Sequence, residues 1–335
     1  MLRTRVCDLL GIEHPIIAAP MGPNLSDSDL VAAVSEAGAL GVLQAQFCPP
    51  EILREKLREL RRRTSKPFGV NLILQFPHEH LLEVCLAEGV PLISFFWGDP
   101  ASSVEQCRRA GAKVMLQVGS VEGARRAADA GVDLITAQGV EAGGHVAGEI
   151  GIMVLVPRMV DAVAPAPVAA AGGIADARGI VAALALGAEA VVLGTRFLAT
   201  PEALYRERLL KAEQGDTVVT TLFGQEWPDA PHRGPRTALV DAWLDREGSE
   251  EARASDQPMV GTTRIAGQEI PLTRFTGFPP CTEAQGDIDS MSLLAGQSVG
   301  LVDDVRPAAE LVHDLIDDAT ALIRRLAGIA AGSAT

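Results

Sequence analysis

The chain has 335 residues, of which 47% are hydrophobic, 21% charged and only 4% aromatic, and its formal charge at pH 7 is −14. This composition is typical of a globular chain long enough for one large domain and a smaller one, and it excludes a disordered chain. The excess of negative charge disfavours nucleic acid and anionic membrane surfaces as partners.

The cysteines and the N-terminal residues indicate in which cellular compartment the protein is found. The five cysteines are scattered and contain no C-x-x-C pair, which argues against a disulfide framework and a zinc site. Asp8 and Glu13 interrupt any signal-type apolar run at the N-terminus, and Pro, Gly or acidic residues interrupt every long apolar stretch. We therefore expect a cytoplasmic protein without a membrane span.

A repeated strand-and-helix unit runs through the first 200 residues. Helix-like segments end in a small residue and Gly, as at Gly89, Gly111 and Gly131, and an apolar run follows each of them. This spacing suits one helix and one strand per unit. Eight apolar runs are predicted as strands, at 15–19, 41–45, 68–74, 92–97, 113–118, 133–137, 167–171 and 190–194. Eight similar units favour a closed (β/α)8 TIM barrel of the α/β class over an open doubly wound sheet.

The repeat stops after about residue 200. Residues 201–214 look helical and end the predicted barrel domain, 1–214. Residues 215–300 are rich in Gly, Pro, Thr and Asp, which predicts a small irregular lid or substrate domain over the barrel mouth. Residues 301–335 are predicted as a C-terminal helix that packs back on the barrel through one apolar face, made of Leu311, Leu315, Ala319, Leu322, Ile323 and Leu326.

A loop after the first strand and three amide side chains on later strands are candidates for ligand contacts. Catalytic and binding residues of such barrels lie where the strands end. The loop Ala19-Pro20-Met21 could lie flat against a planar ligand, or be an ordinary turn. Asn71, Gln117 and Gln138 place amides at three strand ends, where they suit the edge of a heterocycle. A buried amide needs hydrogen-bond partners, which neighbouring backbone could also supply.

A Gly-rich turn after the sixth strand carries the candidate catalytic residue. Gly143 and Gly144 allow a tight turn that would place His145 over the barrel mouth. Histidine is the natural acid or base near neutral pH, although a structural role for this ring stays open. His145 and Glu149 have the spacing of a metal pair, but no third ligand is evident, so we predict no metal.

Glycine turns after the last two strands predict a phosphate site. Gly172-Gly173 follows the seventh strand, and Val192-Leu193-Gly194-Thr195 ends the eighth. Such turns expose backbone N–H groups, the usual phosphate cradle of these barrels. The chain has no Walker loop and no G-x-G-x-x-G after the first strand, which disfavours ATP and a dinucleotide-binding fold.

The motifs PIIAAPMG, GVNL, AQGVEAGGH, AAGGI and LGTRFLAT, in this order and spacing, resemble the nitronate monooxygenase family, formerly called 2-nitropropane dioxygenase. Its relatives include FMN-dependent enoyl-ACP reductases. The resemblance covers residues 10–200 and continues more weakly to about 310. It implies an FMN cofactor, with the Met21 loop behind the flavin ring. It also implies flavin contacts from Asn71, Gln138 and Gly143, phosphate contacts from Gly173 and 192–195, and His145 as the catalytic base.

Two positions and the tyrosine content depart from the family pattern. Val192 stands where the family often has Gln, so a contact there could come only from the backbone. Leu294 stands where many relatives place an aromatic residue before Ala-Gly-Gln. The single tyrosine is Tyr205, which puts in doubt any active-site tyrosine seen in some relatives.

The activity that the resemblance implies is oxidation of alkyl nitronates by FMN and O2, giving a carbonyl compound and nitrite. His145 would remove the α-proton of a neutral nitroalkane, or position a preformed nitronate. Two alternatives remain. One is an NAD(P)H-dependent FMN reductase of an enoyl thioester or a quinone, and the other is a non-redox barrel that binds a phosphate ligand. The expected partners are therefore small molecules, and the sequence leaves a homo-oligomer open.

Overall fold

The computed structural model describes residues 2–22, 25–203, 212–265, 268–281 and 283–332. Eight parallel strands form its centre, in the neighbour order β1-β9-β8-β6-β5-β4-β3-β2. They are β1 Ile16–Ala18, β2 Gly41–Gln44, β3 Phe68–Ile73, β4 Leu92–Phe96, β5 Lys113–Val118, β6 Leu134–Gln138, β8 Val168–Ala171 and β9 Ala190–Leu193.

The sheet closes into a barrel between its first and last strands. The Ala18 amide donates to the Leu40 carbonyl, and the Leu40 amide donates to the Ile16 carbonyl, both at 2.9 Å. The (β/α)8 barrel is therefore confirmed and the open doubly wound sheet is wrong. All eight predicted strands are present, and none of their ends is displaced by more than one residue.

Helices alternate with these strands and cover the outside of the barrel. In α3, Leu53, Leu57 and Leu60 form the buried stripe. Asp176 caps α8 by accepting hydrogen bonds from the amides of Arg178 and Gly179. The helices are α1 Arg5–Leu10, α2 Ser28–Glu36, α3 Pro50–Arg63, α4 Glu79–Ala87, α5 Ala101–Ala110, α6 Val121–Asp129, α7 Ile152–Val163, α8 Ala177–Ala185, α9 Thr195–Leu198, α10 Ala238–Trp243, α11 Glu250–Arg253 and α12 Ala308–Ala330.

Side chains along each barrel strand alternate between the barrel interior and the helix layer. On β9, Val192 belongs to the interior cluster, whereas Leu193 packs with the helices outside. Short aliphatic side chains fill the lower interior, and α1 packs Val6, Cys7 and Leu10 against them at the bottom. The upper interior is left for polar side chains at the carboxyl ends of the strands.

The long C-terminal helix α12 packs against α8 and α2 and so completes the ring of helices. Leu311, Leu315 and Ala319 of its predicted apolar face are buried. Ile323 and Leu326 of the same face are 36% and 44% exposed. These two side chains are exposed because the helix is long. A helix of 23 residues spans roughly 35 Å and extends past barrel helices of 9–14 residues.

Residues of the 215–300 segment form two small antiparallel sheets. In one, β10 Thr217–Thr220 and β11 His232–Pro235 join β7, Gly144–His145, which belongs to the loop after β6. In the other, β12 Met259–Ile265 pairs with β13 Gln268–Thr273 and β14 Gln285–Gly286. The pairing of β11 with β7 attaches the segment to the carboxyl end of the barrel. Whether it is a separate domain stays a prediction.

Two glycines allow the end of this segment to pack directly on the loop after β6. A Cβ atom on Gly143 would lie 2.4 Å from the Gly296 amide nitrogen, and one on Gly296 would lie 2.7 Å from the Glu141 carbonyl oxygen. The backbones therefore touch without intervening side chains.

Two further expectations concern the rest of the chain. Part of the helix expected at 201–214, including Tyr205, lies outside the described residues. In the part of the chain that is described, no helix combines the length and the apolar character that crossing a membrane requires.

Candidate functional site

A large cavity lies at the carboxyl ends of the barrel strands. It contains about 1180 Å³ of empty space, counted out to its open mouth. Leu294, Ala295, Gly296 and Ser298 close one side of it. Among the described residues that line it, none is Asp, Glu, Lys or Arg.

The cavity brings together every predicted site residue except one. Leu193 does not line it, because its side chain points outward and is fully buried under the helices. Because side chains alternate along a strand, a contact from Leu193 could come only from its backbone, and that contact stays a prediction. The predicted residues that line the cavity are Ala19, Pro20, Met21, Asn71, Gln117, Gln138, Gly143, Gly144, His145, Gly172, Gly173, Val192, Gly194 and Thr195.

The side-chain amides at the cavity floor make different hydrogen bonds. Gln138 donates from Nε2 to the His145 carbonyl at 2.7 Å and accepts at Oε1 from the Ala147 amide at 2.9 Å. Its amide thus holds the loop that carries His145. Asn71 lines the cavity and donates from Nδ2 to the Ser94 carbonyl at 3.1 Å.

Gln44 is an amide that the sequence analysis missed. It lines the cavity beside Asn71, with which it pairs in register between β2 and β3. Its Oε1 atom is buried and has no hydrogen-bond partner in the described chain. An unpartnered buried acceptor is costly, so a ligand with a donor at this point would stabilise the site. The polar end of the apolar run GVLQ was the available clue.

The two glycine turns lie side by side at the ends of β8 and β9. Gly172 and Gly173 have φ values of 103° and 70°, which a residue with a side chain rarely adopts. Gly194 precedes α9, and a Cβ atom there would lie 3.5 Å from the Ala19 Cβ and 4.0 Å from the Met21 Sδ, both ordinary contacts. The Thr195 hydroxyl accepts from the Gly296 amide at 2.9 Å. This arrangement suits a phosphate held by backbone N–H groups without a cationic side chain.

His145 lies on β7, paired with β11, and not on a free loop. Its ring is 4.3 Å from the Trp227 ring and 6.3 Å from the Trp97 ring, centroid to centroid. Its Nδ1 atom is buried and has no hydrogen-bond partner among the described residues. Burial lowers the pKa of His145 to about 4, although the nearby Ala230 and Pro231 carbonyls oppose the shift. The imidazole is therefore neutral at physiological pH.

An aromatic cluster beside His145 was not predicted from the sequence. Phe96, Trp97 and Trp227 pack edge to face, and Phe96 also lines the cavity. Trp97 adopts a φ of 58°, a conformation that costs a non-glycine residue on the order of 1–3 kcal/mol and is typical of functional sites. Trp227 and His232 come from the 215–300 segment, where no periodic pattern indicated which side chains pack against His145.

Comparisons with known proteins agree with this site. The family model described as nitronate monooxygenase matches residues 3–81 and 76–318. The nitronate monooxygenase of Pseudomonas aeruginosa is 32% identical over 94% of this chain and 98% of its own length. A (3aS,4S,5R,7aS)-5-hydroxy-7a-methyl-1-oxo-octahydro-1H-indene-4-carboxyl-CoA dehydrogenase of Mycobacterium tuberculosis is 33% identical over 95% of this chain and 96% of its own length.

A solved structure agrees as well. FabK from Thermotoga maritima superposes with a TM-score of 0.83 and 36% identity, covering 98% of this chain and all of its own. The match of the family model across nearly the whole chain and the similarity of these relatives lead to one assignment. The chain belongs to the nitronate monooxygenase family of oxidoreductases.

Proposed function

We propose that this protein uses FMN to oxidise alkyl nitronates with O2, giving a carbonyl compound and nitrite. The observation that carries the proposal is the cavity itself. Its floor bears the unpartnered Gln44 acceptor and the neutral His145 ring, and its edge bears the double glycine turn. These features match a flavin ring with a polar edge and a single phosphate arm.

The chain's own residues divide into two groups around such a cofactor. The Met21 loop, Gln44, Asn71 and Gln117 would hold the ring, and the backbone at Gly173, Gly194 and Thr195 would hold the phosphate. We favour FMN over FAD because one phosphate cradle is present in the described cavity and no second one for a pyrophosphate arm. When bound, the flavin supplies the electron transfer between substrate and O2.

The environment of His145 favours nitronates over neutral nitroalkanes. A base is most effective when its pKa lies near the working pH, and the pKa of His145 lies about three units lower. Proton removal from carbon is therefore a weak point of this site. A neutral imidazole can still donate an N–H hydrogen bond to the nitro oxygens of a nitronate, which arrives without its proton. We therefore assign His145 a positioning contact with the substrate anion.

One observation favours a second candidate, an NAD(P)H-dependent FMN reductase of a neutral acceptor such as an enoyl thioester or a quinone. Without a charged side chain among the described lining residues, an anionic substrate finds no counter-ion. The aromatic cluster suits an apolar acceptor equally well. The relative from Mycobacterium tuberculosis is named for a carboxyl-CoA substrate. A non-redox barrel that binds a phosphate ligand is the third candidate, and it would be colourless.

The first experiment is the visible spectrum of the purified protein and the mass of the cofactor that it releases. We expect a yellow protein that releases FMN, consumes O2 with an alkyl nitronate and forms nitrite. Release of FAD would contradict the single-phosphate site, and a protein without stoichiometric flavin would favour the non-redox barrel. Steady oxidation of NADPH with a quinone, without nitronate turnover, would favour the reductase.

A further inference from the structure

A short 3₁₀ turn, Gln297–Leu301, passes the end of the cavity that carries the glycine turns. It packs against α9, the helix that begins at Thr195, and its Val299 belongs to one apolar cluster with Leu198 of that helix. Ser298 of the turn lines the cavity, as Thr195 does. The chain therefore brings a second hydroxyl group, from outside the barrel, to the predicted phosphate end.

These two hydroxyl groups are buried and have hydrogen atoms to donate. Ser298 is 5% exposed and Thr195 is 7% exposed. The Thr195 hydroxyl accepts from the Gly296 amide at 2.9 Å but donates to no group of the described chain. The Ser298 hydroxyl makes no hydrogen bond with any described residue. A buried hydroxyl without a partner is costly, so both groups call for an acceptor that occupies the cavity.

Backbone hydrogen bonds on both sides of Ser298 hold it at the cavity wall. The Gln297 amide donates to the Glu141 carbonyl at 2.9 Å, which fixes the turn to the loop after β6. The Val299 amide donates to the Gly296 carbonyl at 3.1 Å, which closes the turn itself. Because the backbone is held without a ligand, a contact from the Ser298 hydroxyl would cost little ordering entropy.

The charge of the lining indicates what kind of acceptor this end of the cavity suits. Since no Asp, Glu, Lys or Arg is among the described lining residues, an anion bound there depends on hydrogen-bond donors alone. The oxygens of a phosphate can accept several hydrogen bonds at once, and hydrogen bonds to an ionised acceptor are roughly twice as strong as neutral ones. Two hydroxyl donors therefore complement the backbone N–H groups of the glycine turns.

We propose that Ser298 is a ligand of the cofactor phosphate and that, together with Thr195, it donates a hydroxyl hydrogen bond to the phosphate oxygens. The bond that Thr195 accepts from Gly296 polarises its hydroxyl and strengthens the bond that it donates. The phosphate would then join the barrel to the turn Gln297–Leu301. The 215–300 segment thus supplies part of the cofactor site as well as one side of the cavity.

The inference rests on the proposed function only in that FMN is the cofactor, and the substrate does not enter. The test compares binding of FMN with binding of riboflavin, which has the same ring and ribityl chain but no phosphate. Quenching of flavin fluorescence by the flavin-free full chain measures both Kd values. Ser298→Ala should raise the Kd of FMN roughly 10–100-fold, the effect of losing one hydrogen bond to a charged group. The Kd of riboflavin should stay unchanged. Ser298→Thr, which keeps a hydroxyl, should bind FMN more tightly than Ser298→Ala.

The matched control is Ser292→Ala, because Ser292 is a buried serine of the same segment, 1% exposed, that does not line the cavity. It should change neither Kd. Unfolding by urea separates a ligand role of Ser298 from a structural one. Flavin-free Ser298→Ala should be as stable as the flavin-free wild type, since its hydroxyl has no partner among the described residues to lose. FMN should stabilise the variant less than it stabilises the wild type.

Inorganic phosphate keeps this inference distinct from the proposed function. It should protect the flavin-free wild type against thermal unfolding more than it protects Ser298→Ala. A wild-type protein that binds no flavin, or binds it without nitronate turnover, would refute the proposed function, but protection by phosphate would still decide on Ser298. An unchanged Kd of FMN in Ser298→Ala, an equal rise for FMN and riboflavin, or equal protection of both proteins by phosphate would overturn the phosphate contact.

Discussion

At the scale of single residues, the proposed function predicts that the burial of His145 decides which form of a nitro compound is turned over. His145→Ala should retain FMN, because the proposed cofactor contacts come from other residues. It should reduce kcat/KM for a nitronate by roughly 10–100-fold, the value of one hydrogen bond to a charged group. Wild-type turnover of the neutral nitroalkane should already be low. Both forms of one substrate need to be measured with enzyme matched for flavin content.

The matched control for this experiment is His80→Ala, since His80 is an exposed histidine. It should behave as wild type. A wild-type enzyme that uses the neutral form as fast as the nitronate, and loses only that activity in His145→Ala, would restore the general-base role inferred from the sequence.

The pKa of His232 predicts a pH dependence of stability. Burial lowers this pKa to about 3, against ~6.5 in an unfolded chain. Between these values the unfolded chain binds a proton that the folded chain does not, so the free energy of unfolding falls as the pH drops below 6.5. His232→Leu should reduce this loss by about 2 kcal/mol between pH 7 and pH 5.

Urea unfolding at the two pH values measures this difference, provided that the m-value is unchanged. His80→Leu, at an exposed position, should leave the pH dependence as it is in wild type. An identical loss of stability in wild type and His232→Leu would show that His232 titrates normally in the folded protein.

The sequence predicted which side chains face the cavity wherever the position of a residue in a strand determines the side to which its side chain points. Asn71, Gln117 and Val192 all face the cavity, as alternation along β3, β5 and β9 requires. The same rule shows why Leu193 does not, and it would have identified Gln44 had it been applied to β2. His232 could not be found this way, because its position depends on pairing between segments that are distant in the chain.

At the scale of elements, the turn between β9 and α9 should control cofactor binding. Gly194→Asp should abolish FMN retention while leaving the barrel folded, because the added carboxylate would face the phosphate. A Cβ atom fits at this position, since its nearest neighbour would be 3.5 Å away. Gly194→Ala is therefore the control for size, and it should lose less flavin. Absorbance per protein and far-UV circular dichroism give the two readouts. Undiminished flavin in Gly194→Asp would place the phosphate elsewhere.

The contact between the β6–α7 loop and the 295–296 segment depends on Gly143. Gly143→Ala should reduce the free energy of unfolding by about 1–3 kcal/mol, the usual cost of overpacking, because its Cβ atom would lie 2.4 Å from the Gly296 nitrogen. Gly215→Ala is the control, since a Cβ atom there meets nothing within 4 Å. Equal denaturation midpoints for the two variants would contradict the close contact.

Among elements, the repeated units could be predicted and the irregular ones could not. Each barrel strand is a short, mainly apolar run, and Gly directly follows β5, β6, β8 and β9, a pattern set by local sequence. The helix α1 is only six residues long, too short to show helical periodicity, although its side chains close the barrel bottom. The strands β7 and β11 pair across a long stretch of chain, and Gly144 and His145 alone carry no strand pattern.

At the scale of the whole molecule, the barrel and the 215–300 segment build the cavity together. The strand ends supply its floor and the glycine turns its edge, whereas Leu294 and Gly296 close one side. The negative charge of the chain is kept out of the described lining, so a phosphate bound there would depend on backbone N–H groups.

The central claim is that a flavin in this cavity takes electrons from a nitronate. The most direct measurement is the visible absorption of the flavin-loaded protein after anaerobic mixing with an alkyl nitronate, and separately with NADPH. We expect the nitronate to bleach the flavin band at a rate that accounts for turnover, and NADPH to bleach it far more slowly. Rapid bleaching by NADPH with an unchanged spectrum in nitronate would contradict the claim and identify the protein as a reductase.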